Sequence, residues 1–340
     1  MQHDIGVSFA AQSAPASMIT RSDLGRMLGS ARVRALLALV MVNVIWGTTF
    51  VATKPMLDRV PPLTTATARF AIALVILVPL VLRSGGRIPL GRGPLVMGLT
   101  GGFLLYLCQN TGLAYTSAAN GALIHGGIPV LAALLAAALL RERLQGRRLA
   151  GIALSLAGVV AVALLGNGGQ VGLSMLGDVL ILASALALAG YIVAGRHFFP
   201  AQERLLDLVA GTAVYGLLFL LPASAVEISI TGMPHPSGGD LLRLVYLGAV
   251  ASALAFALWG YGLRHIEAGQ AAIFANLTPL VGVASSAILL GETISPLQLA
   301  GGALIIGGVL LVTRAPARPQ VDPQPTILVN PSAVQTAIAA

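Results

Sequence analysis

Charge is scarce in this chain. Of its 340 residues only 9% are Asp, Glu, Lys or Arg, against about 25% in an ordinary soluble domain. Lys54 is its one lysine and no Gly-x-x-x-x-Gly-Lys loop occurs, so the chain cannot grip a nucleotide as a P-loop pump does. Neither His-Glu-x-x-His nor another metal-ligand spacing is present, and no metal or cofactor is expected. Its one cysteine, Cys108, excludes an intrachain disulfide and needs no role beyond packing. The 12 Asp and Glu residues fall in tails, connections or the ends of apolar runs. No carboxylate is therefore expected at the middle of a membrane span, where proton and cation relays usually keep one. Facing clusters of acids and bases are also missing, so an enzyme is not expected.

What is abundant is apolar surface. Hydrophobic residues make up 56% of the chain and mean hydropathy is +0.89. Crossing roughly 30 Å of hydrocarbon takes about 20 apolar residues, and such runs can be marked about ten times, from Arg34–Thr53 to Leu297–Thr313. Lipid offers backbone N–H and C=O groups no partner, so the runs must be helices; a barrel would need alternating strands, which are absent.

The chain also repeats itself. A shift of 150 positions carries Gly112, Pro129, Glu142, Gly151 and Gly158 onto Gly262, Pro279, Glu292, Gly301 and Gly308 without a gap. Ten helices in two copies give five per copy, and an odd number turns the second copy upside down. The predicted fold is an all-α integral membrane protein of ten transmembrane helices, built as two inverted five-helix repeats. This is an architecture from which alternating access arises.

Basic residues predict the orientation, because cytoplasmic loops retain Lys and Arg. Of the 20 Lys and Arg residues, Lys54, Arg59 and Arg243 fall on one side and Arg69 lies within a helix. The other 16 (20 − 3 − 1), among them Arg34, Arg83, Arg148 and Arg204, share the side of the two tails. Both termini are therefore expected in the cytoplasm, in a bacterial-type inner membrane. The net charge of +8 then reflects topology and not nucleic acid, for which no basic face with interleaved aromatics exists. Residues 1–32 hold no continuous apolar run of the signal-peptide kind; they are expected to be a disordered cytoplasmic tail, as are the Pro-rich 314–340.

Asn43-Val-Ile-Trp46-Gly47 followed by Phe50 and Lys54, Pro61-Pro62 leading to Arg69, and the paired Pro129…Glu142 and Pro279…Glu292 segments carry a resemblance. With the five-helix duplication they resemble the EamA type of the drug/metabolite transporter superfamily over about Ala35–Thr313. The resemblance implies EamA-like repeats over 33–165 and 176–313, the second inverted. It also implies a secondary transporter of an amino-acid-like or other small, partly apolar solute, commonly moved outward. A multidrug-type exporter is the alternative, and a non-transporting receptor or assembly subunit a weaker one. The second copy departs from the pattern where Ala-Gly-Tyr191 stands in place of a tryptophan. Lipid and a small solute are the expected partners, with proton coupling and a homodimer left open.

Spacing nominates the cavity. In the fourth run Ala118, Ala122, His125 and Pro129 form one stripe at about 100° per residue, repeated as Ala268, Ala272, Ala275 and Pro279. Small residues allow close helix approach and each proline frees a carbonyl, so the pair reads as tight packing with a kink, as a gating cavity wall, or both. Asn43 and Trp46 share one side of the first helix at mid-span, too deep for an interfacial belt. Tyr106 and Gln109 recur as Phe256 and Trp259 at the same offset and suit either a belt or substrate contact. Tyr191, Gln270 and Asn276 are weaker cavity candidates, and Asn120 reads as a helix cap. His125 is either a neutral ring bonded to a neighbouring helix or the coupling residue, being the one embedded group with an unperturbed pKa near physiological pH. Lys54 can snorkel, whereas Arg69 needs a partner; Asp58 could serve either, and anion binding is the other reading.

Overall fold

The computed structural model describes residues 21–141, 146–165, 172–198, 204–266 and 274–313, without the side chains of 21–30 and 165. Among these residues every regular element is helical. In chain order they are α1 (Arg21–Thr53), α2 (Pro62–Arg83), α3 (Arg92–Met97, a π-helical turn Gly98–Leu104, then Leu105–Tyr115) and α4 (Ala118–His125 and Ile128–Leu139). The first copy ends with α5 (Gly146–Leu165). The second copy supplies α6 (Leu173–Phe198), α7 (Leu205–Thr231), α8 (Gly238–Val245, a π turn Tyr246–Leu254, then Ala255–His265), α9 (Leu277–Leu290) and α10 (Pro296–Thr313). Eight of these paths are by themselves long and apolar enough to span a membrane, and Leu277–Leu290 is a shorter apolar helix. The expected count of ten therefore rests on also reading α3 and α9 as crossings. Exposed Ile230, Ile288, Val75 and Leu242 leave apolar side chains on the outer faces, as a lipid solvent requires.

Packing obeys the duplication. Helix α1 packs on α9 and on α8, and the equivalents five helices later, α6 on α4 and α6 on α3, pack likewise; α2 with α7 and α5 with α10 are self-matched pairs. The last pair shows the inversion directly. A methyl built on Gly151 would lie 2.7 Å from the carbonyl oxygen of Gly308, and one built on Gly158 would lie 2.6 Å from that of Gly301. As numbers rise along α5 they fall along α10, so the fifth helices of the two copies are antiparallel. Between lipid-bathed helices no hydrophobic force drives association, and such backbone approach supplies the attraction through dispersion.

Charged residues do their structural work at helix ends, where backbone groups lack partners. At the end of the bundle away from the described chain ends, the Glu292 carboxylate accepts the N–H groups of Ala118 (2.8 Å) and Ala119 (2.9 Å). Glu227 accepts those of Leu63 (3.0 Å) and Thr64 (2.8 Å). Both are anions on positive helix N-termini. Lys54 Nζ donates to the carbonyls of Leu113 (3.1 Å) and Thr116 (2.5 Å), a cation on the C-terminus of α3. Among the described residues it forms no ion pair with a carboxylate. Arg59 bridges to Asp240 at 2.6 Å, and Arg243 joins at 3.0 Å. Glu142, the repeat partner of Glu292, lies outside the described residues.

One polar knot corrects the sequence reading. Asp178, near the start of α6, is fully buried; it accepts the Thr116 hydroxyl and Asn120 Nδ2 at 3.2 and 3.1 Å. Asn120 Oδ1 in turn accepts Gln298 Nε2 from α10 at 2.7 Å. Ser117, not Asn120, caps α4. Asn120 ties α4, α6 and α10 together.

Candidate functional site

Helix α4 is interrupted where its sequence predicts. Gly126 and Gly127 separate its halves, and Pro129 sits in the first turn of the second half. Proline has no N–H to give the carbonyl four residues back; Val130 N–H turns instead to Gly127 O at 3.0 Å. In α9, Pro279 occupies the matching place, two residues past the helix start at Leu277. The upper part of the first stripe packs: Ala118 and Ala122 are fully buried, and a methyl on Gly282 of α9 would collide with Ala122. The lower part opens into space. Ala268, Ala272 and Gln270 lie outside the described residues.

That space is a cavity of about 370 Å³, bounded by every helix except α5 and α10. Asn43, Trp46, Tyr106, Gln109, His125, Tyr191, Trp259 and Asn276 all line it, together with Pro129, Pro279, Ala275 and Arg69. Lys54 does not, since the carbonyls at the end of α3 hold it. The lining also includes Thr49, Phe70, Thr212, Ser252 and Thr278, which spacing alone does not single out. Thr212 and Ser252 are each a hydroxyl inside an apolar run, and that was the available signal.

Aromatic rings form one wall. Trp46 lies 5.5 Å from both Phe256 and Trp259, and Phe70 meets Tyr106 edge-on at 5.2 Å. Tyr106, Phe256 and Trp259 thus line the cavity. Trp46 Nε1 donates to the Ala251 carbonyl at 3.2 Å, which fixes the indole across the α1–α8 seam. Asn43 is fully buried; its Nδ2 donates to Leu39 O at 2.7 Å and its Oδ1 accepts from Thr278 of α9 at 2.8 Å.

His125 Nε2 stands 2.7 Å from Ser184 Oγ, and its ring meets Phe50 edge-on at 5.1 Å. The Ser184 hydroxyl already donates to Ile181 O at 2.6 Å. It must therefore accept from histidine, which places a proton on Nε2. Thr212 Oγ1 is buried without a partner among the described residues, an unusual condition that leaves it available to a bound molecule. No Asp or Glu lines the cavity among the described residues, and the described residues hold no cluster of three or more His, Cys, Asp or Glu suited to a metal.

Comparison with known proteins gives consistent results. The model of the EamA-like transporter family matches residues 33–164 and again 175–314. The chain is 32% identical to a probable amino-acid metabolite efflux pump of Salmonella typhimurium, over 83% of this chain and 95% of that one. It is 28% identical to the uncharacterized transporter YetK of Bacillus subtilis, over 88% and 92%. A crystal structure with 23% sequence identity superposes with a TM-score of 0.59, covering 84% of this chain and 96% of its own, and shares the fold.

Proposed function

The chain belongs to the EamA-like transporter family, and from that premise we propose that it is a secondary transporter exporting a small amino-acid-like metabolite by alternating access. The observation that carries this reading is the cavity enclosed by eight helices of two inverted copies, at the level where α4 and α9 both begin anew beside a proline. Two related halves meeting at broken helices are suited to rocking about a fixed site. The name of the Salmonella relative supports both an amino-acid-like solute and the outward direction. A multidrug-type exporter of organic cations fits less well, because a cavity with Arg69 and, among the described residues, no carboxylate repels cations.

Flux of radiolabelled amino acids in sealed proteoliposomes tests the reading and separates a transporter from a receptor. Trp46→Ala should lower flux about tenfold or more while the protein stays monodisperse, since a half-buried tryptophan in a cavity wall is the kind of contact that dominates recognition. Unchanged flux would return Trp46 to packing. Proton coupling, where flux follows an imposed pH gradient, is assigned to His125, whose unperturbed pKa of about 6.5 stands alone among the cavity groups. His125→Ala should then transport without regard to the gradient, and a variant that still follows it dismisses this assignment.

The positive-inside distribution supports cytoplasmic termini and an inner-membrane location. In a Cys108→Ser background, Met233→Cys in the exposed α7–α8 connection should react with an impermeant maleimide added to intact cells. Leu90→Cys in the exposed α2–α3 connection should react only after permeabilisation. The reverse pattern would invert the proposed orientation.

A further inference from the structure

Among the described residues Arg69 is the one Lys or Arg in the cavity wall. It stands about two turns into α2 and is only 5% exposed. A charge removed from water is costly unless a counter-charge meets it, yet among the described residues Arg69 forms no ion pair. Asp58, the acid nearest in sequence, does not reach it. Its two contacts are neutral: Nε donates to Ser252 Oγ at 2.9 Å, and the guanidinium carbon lies 4.7 Å above the Tyr106 ring.

Both contacts position the group without neutralising it. The Ser252 hydroxyl donates to Leu247 O at 2.9 Å within the π turn of α8, which leaves its oxygen free to accept from Nε. Tyr106 is in turn packed edge-on against Phe70. The Nη1 and Nη2 groups have no protein acceptor among the described residues and belong to the cavity wall. A planar fork of N–H donors, fixed at its root and open at its tip, matches a carboxylate bidentately. The apolar rings of Trp46, Phe256 and Trp259 line the same cavity. Gln109 also lines it, 5% exposed, with no protein partner among the described residues, and offers a neutral acceptor.

We propose that Arg69 is the anchor for the carboxylate of the transported solute, so that the substrate class is a zwitterionic or monoanionic carboxylic acid with an apolar side chain. This rests on the transporter reading and narrows it. The cavity volume of about 370 Å³ is in the range of small-ligand sites, about 300–1,000 Å³. Bound carboxylate would supply the counter-charge that the fold withholds, and with it a reason for an unpaired arginine to persist in a membrane helix.

The chain contains two tryptophans, and both Trp46 and Trp259 line this cavity, so its indole fluorescence reports on the site alone. The full chain in nanodiscs is titrated with phenylalanine, leucine and 3-phenylpropionate, and in parallel with phenylalaninol and leucinol, which lack the carboxylate. Wild type should bind at least one carboxylate tenfold or more tightly than its carboxyl-free counterpart. Arg69→Gln should abolish that preference, and Arg69→Lys, which keeps the charge but not the fork, should restore part of it. Equal affinity of wild type for the two series overturns the anchor even if Arg69→Gln does not fold, and so does a preference that survives in Arg69→Gln. Should the alcohols be bound and carried while carboxylates are not preferred, the anchor fails and the transporter reading stands. No response and no flux with either series overturns both.

Discussion

Gly308→Val should leave little folded protein, while Gly307→Val, one residue earlier on the same helix, should be tolerated. The difference lies in what each first methyl meets. At Gly308 it would overlap the carbonyl oxygen of Gly151 and lie 2.5 Å from the amide nitrogen of Ser155, whereas at Gly307 its nearest neighbour is a Leu154 methyl at 3.6 Å. Backbone cannot step aside as a side-chain tip can. Separating α5 from α10 would also dissolve the contact at Gly158 and Gly301, since one antiparallel crossing contains both. The cost should reach or exceed about 3 kcal/mol, the upper part of the overpacking range. Thermal denaturation in detergent followed by size-exclusion recovery is the measurement. Equal midpoints for the two variants would mean that the helices are not in backbone contact.

Asp178→Ala should be comparably severe. Its carboxylate accepts from Thr116 and Asn120, and Asn120 accepts from Gln298, so the knot joins α3, α4, α6 and α10. Deleting the acceptor strands buried donors at about 1–3 kcal/mol each. Asp178→Asn should rescue little, because its amide would present donors to the amide nitrogen of Asn120. A melting point for Asp178→Asn within a degree or two of wild type would show that shape and not acceptor chemistry holds the knot.

The spans, the duplication and most of the cavity wall could be read from sequence because each depends on local or regularly spaced signals. Apolar length marks the helices. The 150-residue shift pairs Tyr106 with Phe256, Gln109 with Trp259 and Pro129 with Pro279, and all six line the cavity. What stayed hidden depends on partners distant along the chain. Asp178 looked like a residue at the end of an apolar run, and nothing in the sequence places Asn120 and Gln298 beside it. Arg69 and Lys54 looked alike as membrane cations with Asp58 in reach. The fold separates them, giving Lys54 two carbonyls at the end of α3 and leaving Arg69 a hydroxyl and a ring. Glu292 reads as a loop acid, although it serves the first turn of a helix in the other copy.

The π turns of α3 and α8 extend this account into the protein's ancestry. They cover Gly98–Leu104 and Tyr246–Leu254, and the 150-residue shift lays the first onto the closing seven residues of the second. A wide helical turn is rare in any helix, and the same irregularity at equivalent places in opposed copies is most simply a single inheritance. The turn then predates the doubling of the gene. Ser252 takes its place from the later turn, so the irregularity that shapes the solute chamber was already present in a five-helix forebear. That forebear could enclose such a chamber only by meeting a second copy of itself inserted the other way up.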